Sequence, residues 1–326
     1  MRLPMLRSKA QSVRMPLWLA VFSAAVVAFS GCTTQRLSPG EGYADVPGGR
    51  VWYRVVGGGA KTPLLLLHGG PGVPSNYLNP LAALTDERPV VFFDQLGTGR
   101  SDHPDDQSLW TINRYVKEVA AVRKALGLEE VYLYGHSWGT ILAAEYMFTR
   151  PSGVRGLVFA SPALSIPRWS QDAAMLLRTL PLPTQQVIAR HEAAGTYEAP
   201  EYHEATMEYY KRYLARRQPW SADIEQTFAQ LNPAIYVYMN GPSEFSLTGT
   251  LKGYDATPRL KEINVPTLFT GGQYDEATPE TVKYYQSMLP GSGLAVIENA
   301  GHLTMQDEPD RDVAVLREFL HRLDAR

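Results

Sequence analysis

The sequence predicts an α/β fold, a mostly parallel doubly wound sheet that carries a helical cap. Three observations point there. Short apolar runs, most of them apolar on both faces, recur from Tyr43 onward, and a strand without a polar face belongs in a sheet covered on both sides. Amphipathic segments alternate with these runs, and strand followed by helix, repeated, builds a parallel sheet. One long stretch, residues 165–250, breaks the rhythm, being rich in Glu, Arg, Tyr and Gln and lacking a convincing buried strand.

The chain opens differently from the rest. Arg2, Arg7, Lys9 and Arg14 form a basic stretch, and the 15 residues from Pro16 to Ser30 carry no charge and end at Gly31-Cys32. At the α-helical rise such a run reaches about 22 Å, short of the roughly 30 Å hydrocarbon core of a bilayer. That length favours a secretory signal over a spanning helix. Cys32, the only cysteine, follows small residues in a way that resembles the processing site of bacterial lipoproteins, with Phe29 where leucine is usual. The expectation is a signal over residues 1–31, lipidation at Cys32, and export to the bacterial cell envelope with a lipid anchor in the membrane. An ordinary cleaved signal or an uncleaved anchor would use the same residues. A single cysteine makes an intramolecular disulfide impossible.

Val51 to Val56, Pro63 to Leu67, Pro89 to Phe93, Val131 to Tyr134, Gly156 to Ala160, Pro266 to Thr270 and Leu294 to Ile297 read as strands. The clearest helical pattern is Thr111 to Leu126, where Thr111 can cap and Tyr115, Val119, Val122 and Leu126 form one stripe. The core is assigned to 43–164 and 251–326 and the cap to 165–250, within which Tyr202 to Arg217 has a helical period. Inserted between a strand ending near Ser161 and one starting at Pro266, the cap would sit above the C-terminal edge of the sheet, where open α/β folds bind ligands.

Composition narrows the function classes. With 326 residues the chain can bury a large core, and 44% hydrophobic with 20% charged residues is a globular balance. A net charge of -2, from 31 basic and 33 acidic residues, provides no footprint for nucleic acid. No metal or cofactor is indicated, since the seven histidines and one cysteine show no ligand spacing and the glycine motifs lack a phosphate-loop lysine.

The chemistry centres on Gly135-His136-Ser137-Trp138-Gly139, which follows the strand candidate Val131 to Tyr134 and precedes a helical run from Thr140 to Phe148. A tight strand-to-helix turn needs small residues around the serine and pushes its hydroxyl out at the helix N-terminus. Ser137 is the candidate nucleophile. A serine hydroxyl needs a base within hydrogen-bond reach, and where this elbow occurs the chain order is serine, acid, histidine. His302 follows the last strand candidate and precedes a final helix, Arg311 to Leu323; His321 lies inside that helix, and His191 and His203 lie in the insertion. Asp275 follows the strand Pro266 to Thr270, and a carboxylate there would fix the imidazole tautomer. Asp94, after Pro89 to Phe93, is a rival acid, disfavoured because it precedes the serine. His68-Gly69-Gly70-Pro71-Gly72 follows another strand, so the amides of Gly70 and Trp138 are candidate oxyanion donors, worth roughly 3 to 4 kcal/mol each. A tight turn would also need those glycines.

Together His68-Gly-Gly-Pro-Gly72, Asp94-Gln-Leu-Gly-Thr-Gly-Arg-Ser101, the Ser137 elbow and Gly301-His302 resemble the proline iminopeptidases, serine aminopeptidases of the α/β-hydrolase fold. Gly241-Pro-Ser-Glu-Phe245 and Tyr274-Asp-Glu-Ala-Thr-Pro279 are similar to the tricorn-interacting branch, and the similarity runs from about Tyr43 to Leu323. The resemblance implies that Glu244 and Glu276 hold the free α-amino group of a short peptide or aminoacyl substrate, an ammonium in a partly desolvated pocket requiring opposite charge. Otherwise both glutamates are solvated surface residues. An aminopeptidase favouring proline or small apolar N-terminal residues is the expected activity; an esterase or lactonase would use the same triad. The lipoprotein-like start departs from the family's usual cytosolic form.

Overall fold

The four leucines Leu64–Leu67 set the plan of the sheet. Side chains alternate across a strand, so Leu65 and Leu67 enter one apolar cluster while Leu64 and Leu66 enter another on the opposite face. In the computed structural model, which describes residues 37–325, this strand is the third of eight. In chain order they are β1 (Gly40–Val46), β2 (Gly49–Val56), β3 (Leu64–Leu67), β4 (Val90–Phe93), β5 (Val131–His136), β6 (Val154–Ala160), β7 (Thr267–Gly272) and β8 (Gly293–Ile297). Their order in the sheet is β1-β2-β4-β3-β5-β6-β7-β8. β2 pairs antiparallel with β1 and with β4, and every other pairing is parallel. Cys32 and the basic and apolar segments before it lie outside the described residues. Among the described residues no helix is long and apolar enough to cross a membrane.

β1 is not among the strands expected from sequence. It is an edge ribbon that starts three residues before Tyr43, and only Ala44 and Val46 of its seven residues are buried. It therefore lacks the apolar run that marks a central strand. β8, at the other edge, also departs from the two-faced pattern, since Leu294 and Val296 are exposed.

Helices cover both faces. α1 (Ile112–Ala125) begins as its sequence suggests, with the Thr111 hydroxyl accepting from the Arg114 N–H and Tyr115, Val119 and Val122 buried. α2 (Trp138–Phe148) is almost wholly buried. Between β6 and β7 come five helices: α3 (Ile166–Leu177), α4 (Leu182–Ala194), α5 (Pro200–Tyr213), α6 (Ala222–Ala229) and α7 (Pro233–Met239). A bridge between Ser165 and Asp255 joins the two ends of this insertion. After it follow α8 (Pro279–Ser287), α9 (Thr304–Asp307) and α10 (Pro309–Asp324). The apolar face of α10, with Leu316, Phe319 and Leu320, packs in the cluster of Leu64 and Leu66.

Asp94 closes β4 and is fully buried. Its Oδ1 accepts from the Ser75 N–H and hydroxyl at 2.9 and 2.6 Å, and its Oδ2 accepts from the Arg100 N–H at 3.0 Å. The carboxylate thus braces two loops and meets no histidine nitrogen. Asp94→Ala should lower stability in urea unfolding by about 3 kcal/mol or more, because it strands buried donors. The folded fraction should keep near wild-type kcat; a collapse of kcat at unchanged stability would return Asp94 to the catalytic set.

Candidate active site

The elbow at Ser137 is held open by its neighbours. β5 ends at His136 and α2 begins at Trp138, leaving Ser137 at φ 54° and ψ -121°, a region that non-glycine residues rarely adopt. The flanking glycines are required by backbone contact. A Cβ on Gly135 would stand 2.5 Å from the Gly139 carbonyl oxygen, and one on Gly139 would stand 2.0 Å from that of Leu67. The Ser137 N–H is anchored to the Ala160 carbonyl at 3.0 Å.

Asp275 and His302 meet as their order in the chain suggests. His302 Nδ1 lies 2.7 Å from Asp275 Oδ1, so Nδ1 carries the proton and Nε2 is left to accept one. Asp275 also accepts the N–H groups of Gly272 and Ala277, at 3.0 and 2.9 Å. Burial works to raise its pKa, yet the adjacent His302 and these hydrogen bonds hold it below the usual carboxylate value. Ser137 and His302 line one cavity of about 760 Å³, whose wall is mostly supplied by the cap, with Tyr202, Tyr210, Phe228 and Tyr236 among its aromatic residues. Gly70 and Trp138 border a narrow recess that opens on Ser137. Among the described residues neither of their backbone N–H groups donates to another protein group, which leaves both available to a substrate oxygen.

Of the two glutamates only Glu244 reaches the cavity; Glu276 is buried next to Asp275 and lines neither the cavity nor the recess. Glu244 lines the cavity and the recess and accepts from the Tyr236 hydroxyl. Glu276 is 1% exposed, and neither of its carboxylate oxygens has a hydrogen-bond partner among the described residues. Neither glutamate is a solvated surface residue. Burial raises both pKa values, that of Glu276 well above the ordinary range with the charges of Glu244 and Asp275 adding to the effect. Trp169 of α3 joins the parts: its ring stands edge-on to His302 at 5.3 Å, and its Nε1 donates to the Glu244 carbonyl oxygen.

The profile of the α/β hydrolase fold matches residues 62–309. A proline iminopeptidase of Heyndrickxia coagulans is 45% identical over 285 residues, 87% of this chain and 99% of that one. The chain belongs to the proline iminopeptidase family. A second proline iminopeptidase, from Saccharolobus solfataricus, is 36% identical over 87% of this chain and 93% of its own. Among solved structures, VinJ aligns with a TM-score of 0.85 and 37% identity, covering 88% of this chain and 100% of that one. The proline iminopeptidase of Mycobacterium smegmatis aligns with a TM-score of 0.82 and 36% identity, over 88% and 99%.

Other residues that build this member's site gave no signal of their role in the sequence. Gln95 donates to the His68 carbonyl at 3.0 Å and accepts from Trp138 Nε1 at 2.9 Å, tying the Gly69-Gly70 loop to the elbow. Asp307 splices the cap to the histidine loop. It accepts from the N–H groups of Arg216 and Arg217 beyond α5, and from that of Gly301, each at 2.8 Å. The N–H groups of His302 and Leu303 in turn donate to the carbonyls of Tyr213 and Leu214 at 2.7 and 2.8 Å. Of the other histidines, His203 lines the same cavity from the cap side and His321 pairs with Glu87 at the surface.

Ser137→Ala should reduce kcat by about 10⁵ to 10⁶ with an unchanged thermal midpoint, and His302→Ala should fall to a similar level, because triad members act as a unit. Asp275→Asn should be damaging but less complete. Steady-state hydrolysis on titrated protein checks all three, and residual activity of Ser137→Ala above roughly a hundredth of wild type would remove it as nucleophile.

Proposed function

We propose that this chain is a serine aminopeptidase that releases N-terminal residues, proline or small apolar ones, from short peptides. The observation that carries the reading is the Glu244 carboxylate on the wall of the Ser137 cavity, with a second carboxylate, Glu276, buried next to Asp275 and without a partner among the described residues. A buried charge without a counterion is costly, and a substrate ammonium supplies the missing partner. An internal peptide segment has no such group, so the arrangement favours an exopeptidase.

The chemistry follows from the groups in place. Ser137 Oγ attacks the carbonyl carbon of the first residue while His302 Nε2 takes its proton. The negative charge that develops on the carbonyl oxygen is met by the Gly70 and Trp138 N–H groups, and Asp275 stabilises the imidazolium. His302 then returns the proton to the leaving amine, leaving the first residue esterified to Ser137. Water, deprotonated by His302, hydrolyses that ester and restores the serine. The narrow recess beside Ser137, walled by Ile166, Trp169 and Leu247, suits a compact apolar first residue. The relatives named as proline iminopeptidases agree with this substrate class.

The expected export signal completes the proposal, with residues 1–31 removed and Cys32 lipidated. Cys32→Ser should leave an unprocessed precursor in place of a detergent-extractable, membrane-associated protein. Normal cleavage and full solubility of that variant, in fractionation and intact-mass measurements, would favour an ordinary signal peptide.

Glu244→Gln keeps size and deletes charge. It should lower kcat/KM for free-amine substrates by about one to three orders of magnitude, each worth about 1.4 kcal/mol, while sparing N-blocked esters. Raising pH through the substrate amine's pKa, about 8, should weaken wild-type binding and barely affect the variant, since neutralising the amine removes an attraction the variant no longer makes. Equal losses on free and blocked substrates would mark Glu244 as structural and favour an esterase.

A further inference from the structure

A buried run of hydrogen bonds joins the two loops on either side of Ser137. The Gly69 N–H donates to the Tyr77 hydroxyl at 2.6 Å, that hydroxyl lies 2.9 Å from His136 Nδ1, and His136 Nε2 lies 3.0 Å from the His302 carbonyl oxygen. Chemistry sets the direction. A carbonyl oxygen only accepts, so Nε2 carries the proton; neutral His136 then offers Nδ1 as an acceptor, and the Tyr77 hydroxyl, already accepting from Gly69, donates to it.

The surroundings hold this arrangement. Tyr77 and His136 are 2% and 1% exposed. Burial, with the neighbouring His302, pushes His136 down to about 3, and burial pushes the Tyr77 phenol up, so neither changes charge near neutral pH. The space is filled: a Cβ on Gly69 would stand 3.0 Å from the Tyr77 hydroxyl oxygen, 3.1 Å from Ser137 Cβ and 3.3 Å from His136 Nδ1. The His136 and His302 rings are 4.8 Å apart. Both nitrogens of His136 are occupied, which leaves it no means of exchanging protons with a substrate.

We propose that Tyr77 and His136 are positioning residues that lock the Gly69-Gly70 loop, with its oxyanion donor, in register with the backbone of His302. Oxyanion stabilisation depends on donors fixed to within about 0.5 Å of their working place. Gln95 holds this loop at His68 and the Asn232 N–H holds it at Gly72, and between them Gly69, the neighbour of the Gly70 donor, is tethered through Tyr77 and His136 to the residue that carries the base. The role rests on Ser137 and His302 as nucleophile and base, and is independent of which acyl substrate is cleaved.

Tyr77→Phe removes one oxygen and keeps the ring. It should lower kcat about 10- to 100-fold with KM within about threefold, by the same factor on aminoacyl substrates and on N-blocked esters, unlike Glu244→Gln. Binding of phenylboronic acid, whose tetrahedral adduct with serine places an oxygen among the oxyanion donors, should weaken by the same factor. His136→Gln, which offers both an N–H and an acceptor oxygen, should recover most of the activity that His136→Leu loses. A Tyr77→Phe variant with a lower thermal midpoint but unchanged kcat and boronate affinity would overturn the proposal, as would equal losses in His136→Gln and His136→Leu. Failure of the underlying assignment reads differently, as activity surviving in Ser137→Ala.

Discussion

The approach of Gly139 to the carbonyl oxygen of Leu67 governs the rest of the site. A methyl group there would overlap the end of β3, its carbon falling 2.0 Å from that oxygen, so the first turn of α2 reaches the sheet only because the side chain is absent. That contact sets the nucleophile next to the loop that leaves β3, and so puts both candidate oxyanion donors on one side of Ser137. Ser137, two residues earlier, has a positive φ of 54°. A conformation of this kind costs about 1 to 3 kcal/mol and is sustained by the fully buried β5 and the nearly all-buried α2 on either side of it.

Adjacent carboxylates in this site are driven in opposite directions by what surrounds them. Asp275 gathers a histidine and two backbone amides and is held ionised; Glu276, one residue on, is as deeply buried but gathers nothing among the described residues. Sequence proximity therefore says little about charge state. The free protein is frustrated at Glu276, where a carboxylate must be protonated or remain uncompensated.

What was legible in the sequence is what is local or strongly patterned. Seven of the eight strands announce themselves because burial on both faces, or on one with apolar residues on the other, leaves continuous apolar runs; β1 does not, because half of it faces solvent and glycines open it. The elbow was legible because its steric demands fall on residues two positions either side of Ser137. Chain order separated Asp275 from Asp94, and the reason Asp94 is nevertheless buried appears only once Ser75 and Arg100 are seen around it. Tyr77, His136 and Asp307 carry no comparable signal, because each has a decisive partner far away in sequence. The link from His136 to His302 spans 166 positions, and no periodicity or motif encodes such a pairing.

The splice between the cap and the histidine loop bears on how this fold diversifies. The end of α5 and the segment after it exchange hydrogen bonds with His302, Leu303 and Asp307, so residues 213–217 belong by their bonding to the catalytic frame, although they lie within the insertion. Recombination at the outer ends of the cap would import a foreign segment at this point and displace the base. Exchange confined to α3–α4, or to α6–α7, leaves the segment in place. Variation of the substrate chamber is thus channelled into two separate halves of the cap, with a fixed strut of backbone between them.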